Sequence, residues 1–266
     1  MSTTLRVLAF AAALSFLAAA RPSLAAAEQA QTAAALRDTI QEMWLAQASA
    51  GLDPRALDAL QRISSGERRL LALRGYLRAG DTLAARWSWS QEQLSQYAET
   101  SEGKAAAADI DAVAAAFAAA NPGFTLHVNR NPRSLEEQIA HWNTNESVGT
   151  AAAALTASLE RRFGAATPSA GQLRQALMES TPSVAVTLAA PGLSAHGQGR
   201  AFDFVVERKG RIIAGAEAAS ASERWDAAGW AQKLHAAVIA AGSHFTGPLQ
   251  APYEPWHYAY VPIQAR

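Results

Sequence analysis

Two short stretches, far apart in the chain, constrain its fold more than anything else: Ser194-Ala195-His196-Gly197-Gln198-Gly199-Arg200-Ala201-Phe202-Asp203 and Glu254-Pro255-Trp256-His257. Two histidines and an aspartate, with a glutamate three residues before the second histidine, are the parts of a catalytic zinc site. If they serve one site, the fold must bring both stretches to one point. Zinc in a hydrolase takes three protein ligands from His, Asp or Glu and keeps a fourth position for water. His196, Asp203 and His257 fill that set. A neighbouring carboxylate must still take the proton of the water as it attacks a carbonyl. Glu254 is the residue placed for this.

The spacing has local consequences. A turn made possible by Gly197 and Gly199 leads from His196 into a strand over 201–206, where Asp203 alternates with Phe202 and Phe204 and so faces away from both rings. Residues 253–261 are rich in aromatic and β-branched side chains and read as a second strand, broken at its start by Pro255. In a regular strand positions 254 and 257 point to opposite faces. The proline must therefore distort the entry if both side chains are to reach one site.

These residues also carry a resemblance. The patterns S-x-H-x-x-G-x-A-x-D and E-x-W-H, matched at Ser194, His196, Gly199, Ala201 and Asp203 and at Glu254, Trp256 and His257, resemble the zinc D-alanyl-D-alanine carboxypeptidase and dipeptidase family. That family is similar in fold to the lysostaphin-type peptidases and the hedgehog signalling domain. The resemblance implies that His196, Asp203 and His257 bind one zinc per chain, that Glu254 is the general base and that Ser194 lies beside the substrate. It also implies an arginine opening an upstream helix. Asn131-Pro132-Arg133-Ser134 followed by Gln138 makes Arg133 the candidate for binding substrate and stabilising the oxyanion, although the Gly-Tyr that precedes it in the family is missing here. Arg200 departs from the family too, which prefers an apolar residue there.

The start of the chain reads as an address. Residues 1–6 are short and positive, 7–20 are apolar, and Ala25-Ala26-Ala27 offers small residues to a signal peptidase, so residues 1–27 are expected to be an export signal and the mature chain to lie in the periplasm or cell envelope without membrane insertion. Of 23 basic and 23 acidic residues, removing 1–27 takes away Arg6 and Arg21 and no acid, leaving a net charge of −2. Nothing here argues for nucleic acid. The absence of cysteine rules out disulfides and thiolate ligands, so a metal in an exported protein of this composition must be held by His and carboxylate.

Residues 28–103 read as a small helical region and 104–266 as the catalytic domain. Asp53-Pro54 is an N-cap with proline at the first helical position, followed by Leu57, Leu60 and Ile63 at helical spacing. Ser90 with Gln93 resembles a capping box. Trp87 and Trp89 could pass for a sugar-stacking pair but read better as a plug between helices. In the second part, helices are expected over 104–121, 135–142, 149–163, 171–178 and 225–241. Strands are expected over 124–129, 183–188, 201–206, 211–214 and 253–261, with Lys209-Gly210 as a hairpin turn. This pattern specifies an α+β fold, a mainly antiparallel sheet flanked by helices that carries the zinc site. His127, His141, His235 and His244 read as ordinary surface or core residues.

Peptidoglycan stem peptides are the implied substrate, with zinc as cofactor and no protein partner identifiable. The motifs fit removal of the terminal D-Ala or cleavage of an L-Ala-D-Glu bond. A different class of reading is a non-catalytic, zinc-stabilised wall-binding domain, against which Glu254 argues, because a structural zinc needs no base.

Overall fold

The computed structural model describes residues 24–262, except 131, 165, 183, 185, 251 and 252. The expected export signal lies outside the described residues up to position 23, and so does Asn131 of the upstream motif. The chain divides into two compact units, Met1–Ile40 and Gln41–Arg266. Helix α1 (Leu24–Ser49) begins in the first and ends in the second.

The second unit continues with α2 (Pro54–Arg62), α3 (Gly66–Ala79), the short α4 (Leu83–Arg86), α5 (Gln91–Glu99) and α6 (Ser101–Ala120). The expected caps are present. Asp53 accepts a hydrogen bond from Arg55 N at the start of α2, and Ser90 and Gln93 exchange both bonds of a capping box at α5. Then come β1 (Thr125–Val128), α7 (Leu135–Thr144), α8 (Glu146–Phe163), α9 (Ala170–Glu179), β2 (Ala201–Arg208) and β3 (Arg211–Ala214). The chain ends with α10 (Trp230–Ala240), β4 (Phe245–Thr246), β5 (Leu249–Gln250), β6 (Tyr253–Glu254) and β7 (His257–Tyr260).

Among the described residues the main sheet is antiparallel, in the order β1-β2-β7-β4, with β3 paired to the far end of β2 and β5 paired with β6 apart from it. Period-two alternation on β2 explains the layering: Phe202, Phe204 and Val206 turn to a core built with α6 and α10, and Asp203 turns to the other face. A second apolar cluster fills the helical side, where α3 packs against α8 and α9 through buried Leu70, Leu73, Leu155, Leu159, Leu173 and Leu177. The architecture is α+β.

Two expectations need correction. Residues 183–188 form no strand among those described; the segment bends instead. Both edges of β2 are occupied, one by β1 and the other by β7 and β3, so the strand that carries Asp203 offers this segment no free edge, and it bends past the cleft at Thr187 and Leu188. The helix expected over 225–241 begins only at Trp230. A π-turn over Ser222–Asp226 precedes it, and Gly229 in a left-handed conformation (φ 72°) interrupts the run.

Phe204 is the centre of the sheet's packed face. It is fully buried, with the rings of Phe245 and Tyr258 at 5.6 and 5.8 Å. Phe204→Ala is expected to destabilise the protein by about 3–5 kcal/mol. Urea denaturation followed by tryptophan fluorescence measures this; a midpoint matching the parent's would mean that this packing is not what holds β2.

Candidate metal centre and catalytic cleft

Antiparallel pairing of β2 with β7 makes Asp203 and His257 direct cross-strand partners. That register, rather than their distance in sequence, brings the two side chains together. The chain enters β7 through a tight turn at Pro255-Trp256, where Phe204 N donates to the Trp256 carbonyl at 3.0 Å. The turn breaks the alternation as expected. Glu254 and His257 end on the same side, with Glu254 Oε2 3.7 Å from His257 Nδ1. Trp256 lies beneath, 2 % exposed, against Trp225, whose indole donates to the Gly215 carbonyl.

His196 comes from a 3₁₀ turn, Ala195–Gln198. Gly197 is required by close approach, since a Cβ there would stand 2.0 Å from Ser88 Oγ. Gly199, at φ 64°, ends the turn in the left-handed region and releases the chain into β2. The turn delivers His196 Nε2 to 3.5 Å from Asp203 Oδ2, while His257 Nδ1 lies 3.0 Å from Asp203 Oδ1. One ligand atom from each of the three side chains can be chosen so that all lie within 4.8 Å of one another. Ligands about 2.0–2.1 Å from a tetrahedral ion stand about 3.3 Å apart, so this donor set fits a metal ion with little adjustment.

The electrostatics agree with that use. Burial pushes the His196 imidazole down to about 4 against the pull of Asp203, so it is neutral at neutral pH and its nitrogen lone pair is available to a metal. For Asp203 burial acts upward, but the His257 hydrogen bond and the charges around it outweigh burial and hold the carboxyl below its ordinary range. Glu254 moves the other way. Burial raises its pKa, with Asp203 adding to the rise and His257 and Arg133 opposing it.

These groups line one cleft of about 510 Å³ together with Ser194, Arg133, His141 and Arg86. Arg133 sits just before Ser134, whose side chain caps α7 by accepting from Glu137 N at 3.3 Å. Its charge bears on His196, Asp203 and Glu254 alike. Gln138, one turn into α7 and buried, fastens this arm to the histidine loop: Nε2 donates to the Arg133 carbonyl at 2.8 Å, and Oε1 accepts from Gly192 N at 3.0 Å. Ser88 Oγ, 3.3 Å from both Gln138 Oε1 and the Ser194 carbonyl, can donate to either.

Ser194, His196, Asp203, Glu254, Trp256 and His257 of the two motifs, and Arg133, therefore line the same cleft, while Gly199 and Ala201 shape the turn and strand behind it. Sequence reasoning did not single out Arg86, and it read His141, which lines the cleft, as an ordinary residue; it also passed over Ser88, which reaches Gln138 and the Ser194 carbonyl beside the cleft. Ser88 has no motif of its own, and its only local signal is the tryptophan on either side. Trp87 is a buried plug against Tyr76, whereas Trp89 is half-buried against Tyr97, so the two do not form a stacking platform. Arg200, the apparent departure, pairs with Glu102 at 2.7 Å beside Trp89 and Tyr97. His244 is a structural histidine, its Nδ1 2.8 Å from Asp109 Oδ2.

The family model for VanY, D-alanyl-D-alanine carboxypeptidase, matches residues 100–263, which include the whole sheet and every residue of the metal group. No curated protein and no solved structure matches the chain.

Proposed function

The chain belongs to the VanY family of D-alanyl-D-alanine carboxypeptidases, and from that premise we propose that it is an exported zinc peptidase removing the terminal D-Ala from peptidoglycan stem peptides. One observation carries the reading: His196, Asp203 and His257 converge with Glu254 beside them in a single cleft. His196, Asp203 and His257 would hold the zinc, with no thiolate involved. When bound, the ion lowers the pKa of a water molecule and polarises the carbonyl to be attacked.

The protein's own residues do the rest. Glu254 takes the proton of the attacking water and returns it to the leaving amine, a task helped by burial, which raises its pKa above the ordinary glutamate value. Arg133 presents positive charge where the carbonyl oxygen becomes negative, and Ser194 lines the same wall to meet the substrate backbone. Gln138 keeps Arg133 and the histidine loop in register.

The test is incubation of the mature, zinc-loaded protein with defined muropeptides, with products read by mass. Loss of one alanine from a pentapeptide stem is the expected result. Release of the whole peptide beyond L-Ala would replace it with endopeptidase activity, and binding without cleavage with a wall-binding domain.

Export is the second part of the proposal. It is supported by the composition of residues 1–27 and by the family's action on the cell wall; no helix among the described residues is long and apolar enough to cross a membrane. Protein recovered from the envelope is expected to begin between Ala26 and Glu28. N-terminal sequencing that finds Met1 would refute processing.

A further inference from the structure

The helical segment ahead of the matched region contributes to the cleft itself. Arg86, the last residue of α4, lines the cleft with exposed side chain, whereas its neighbours Ala84, Ala85 and Trp87 line a separate pocket on the surface. Its backbone is fastened to the histidine loop. Gln198 Nε2 donates to the carbonyls on both sides of Arg86, to Ala85 at 2.9 Å and to Trp87 at 3.0 Å. Ser88 N donates to the Gly192 carbonyl and Trp89 N to the Gly197 carbonyl, at 2.9 and 2.7 Å. Four hydrogen bonds thus tie the backbone of residues 85–89 to the loop that presents His196, which fixes the point from which the exposed Arg86 side chain reaches the cleft. Among the described residues no carboxylate pairs with it.

A guanidinium that lines the cleft without an internal partner is suited to a carboxylate, which it can meet with two parallel hydrogen bonds. Arg133 already brings its charge to the reacting centre, bearing on His196, Asp203 and Glu254. The second cation comes from a different element and serves a different group. We propose that Arg86 recognises a carboxylate on the acyl side of the substrate, that of an acidic residue upstream of the scissile bond, and so sets which stem peptides are accepted; this rests on the peptidase reading above.

The experiment uses two stem peptides identical except that the acyl-side carboxylate of one is converted to a carboxamide. The zinc-loaded full chain is expected to prefer the carboxylate peptide, and Arg86→Ala to raise its KM roughly tenfold, the lower end for a charged hydrogen bond at an exposed position, and to erase the preference. Arg86→Lys should recover part of it. Zinc content and thermal midpoint should match the parent's, which separates substrate recognition from damage to the loop. Binding is read independently of turnover by calorimetry with Glu254→Gln and Glu254→Gln/Arg86→Ala proteins. If the parent cleaves both peptides equally well, or the double variant keeps the preference, the role of Arg86 is overturned while the peptidase reading survives. If the parent neither binds nor cleaves either peptide, both fall together.

Discussion

Glu254→Gln is expected to lower cleavage of stem peptides by about 10²–10⁴-fold, the contribution of a positioned general base. The side chain stands 3.7 Å from His257, and the group of His196, Asp203 and His257 that could hold a metal is complete without it. Glutamine keeps its size and shape but cannot accept the proton. The variant should fold normally, because burial disfavours the charged glutamate in the native state; a raised native pKa means that a neutral side chain there removes a cost at neutral pH. Steady-state kinetics on a muropeptide, zinc content and a thermal melt test this together. A parental rate from a fully zinc-loaded variant would remove Glu254 from the chemistry.

The second large effect concerns the metal. The parent is expected to retain about one zinc per chain, and the His196→Ala/His257→Ala double variant essentially none, with activity falling to background. Removing two of three donors leaves only Asp203, whose carboxylate is also deprived of both histidine partners at 3.0 and 3.5 Å. His257 is buried, so the double variant is at some risk of misfolding. The single variant His196→Ala, at the more exposed turn, is the control. With its circular dichroism parental, it should still bind zinc at least tenfold more weakly, since even changes in the shell around a metal's ligands cost 10–100-fold. Metal analysis after dialysis against a chelator reads this directly. Undiminished zinc in the double variant would place the ion elsewhere.

Much of this site was legible in the residues. Asp203 between two phenylalanines could face only away from the core, Pro255 had to break the strand, and Asp53 and Ser90 were recognisable caps because capping is settled within a few residues. Lys209-Gly210 likewise announced its hairpin, and both residues adopt the positive φ, 52° and 72°, that such a turn needs. The strand expected over 183–188 failed for the opposite reason. Strand formation requires a partner edge, and residue composition carries no record of which edges are taken.

The sequence by itself determined the available chemistry: which side chains could ligate a metal, which carboxylate was left over as a candidate base, and that no cysteine could take part. It also determined the local geometry that frees each group, because turn, cap and alternation depend on neighbours along the chain. Only the tertiary structure decided that Asp203 stands opposite His257 across β2 and β7, that Gln138 links the Arg133 arm to the histidine loop, that Ser88 reaches Gln138 and the Ser194 carbonyl, and that Arg86 belongs to the cleft at all. Those contacts join residues up to about a hundred positions apart, and they are selected by how the apolar faces of β2, α3, α6 and α10 fit together, a condition that no local spacing expresses.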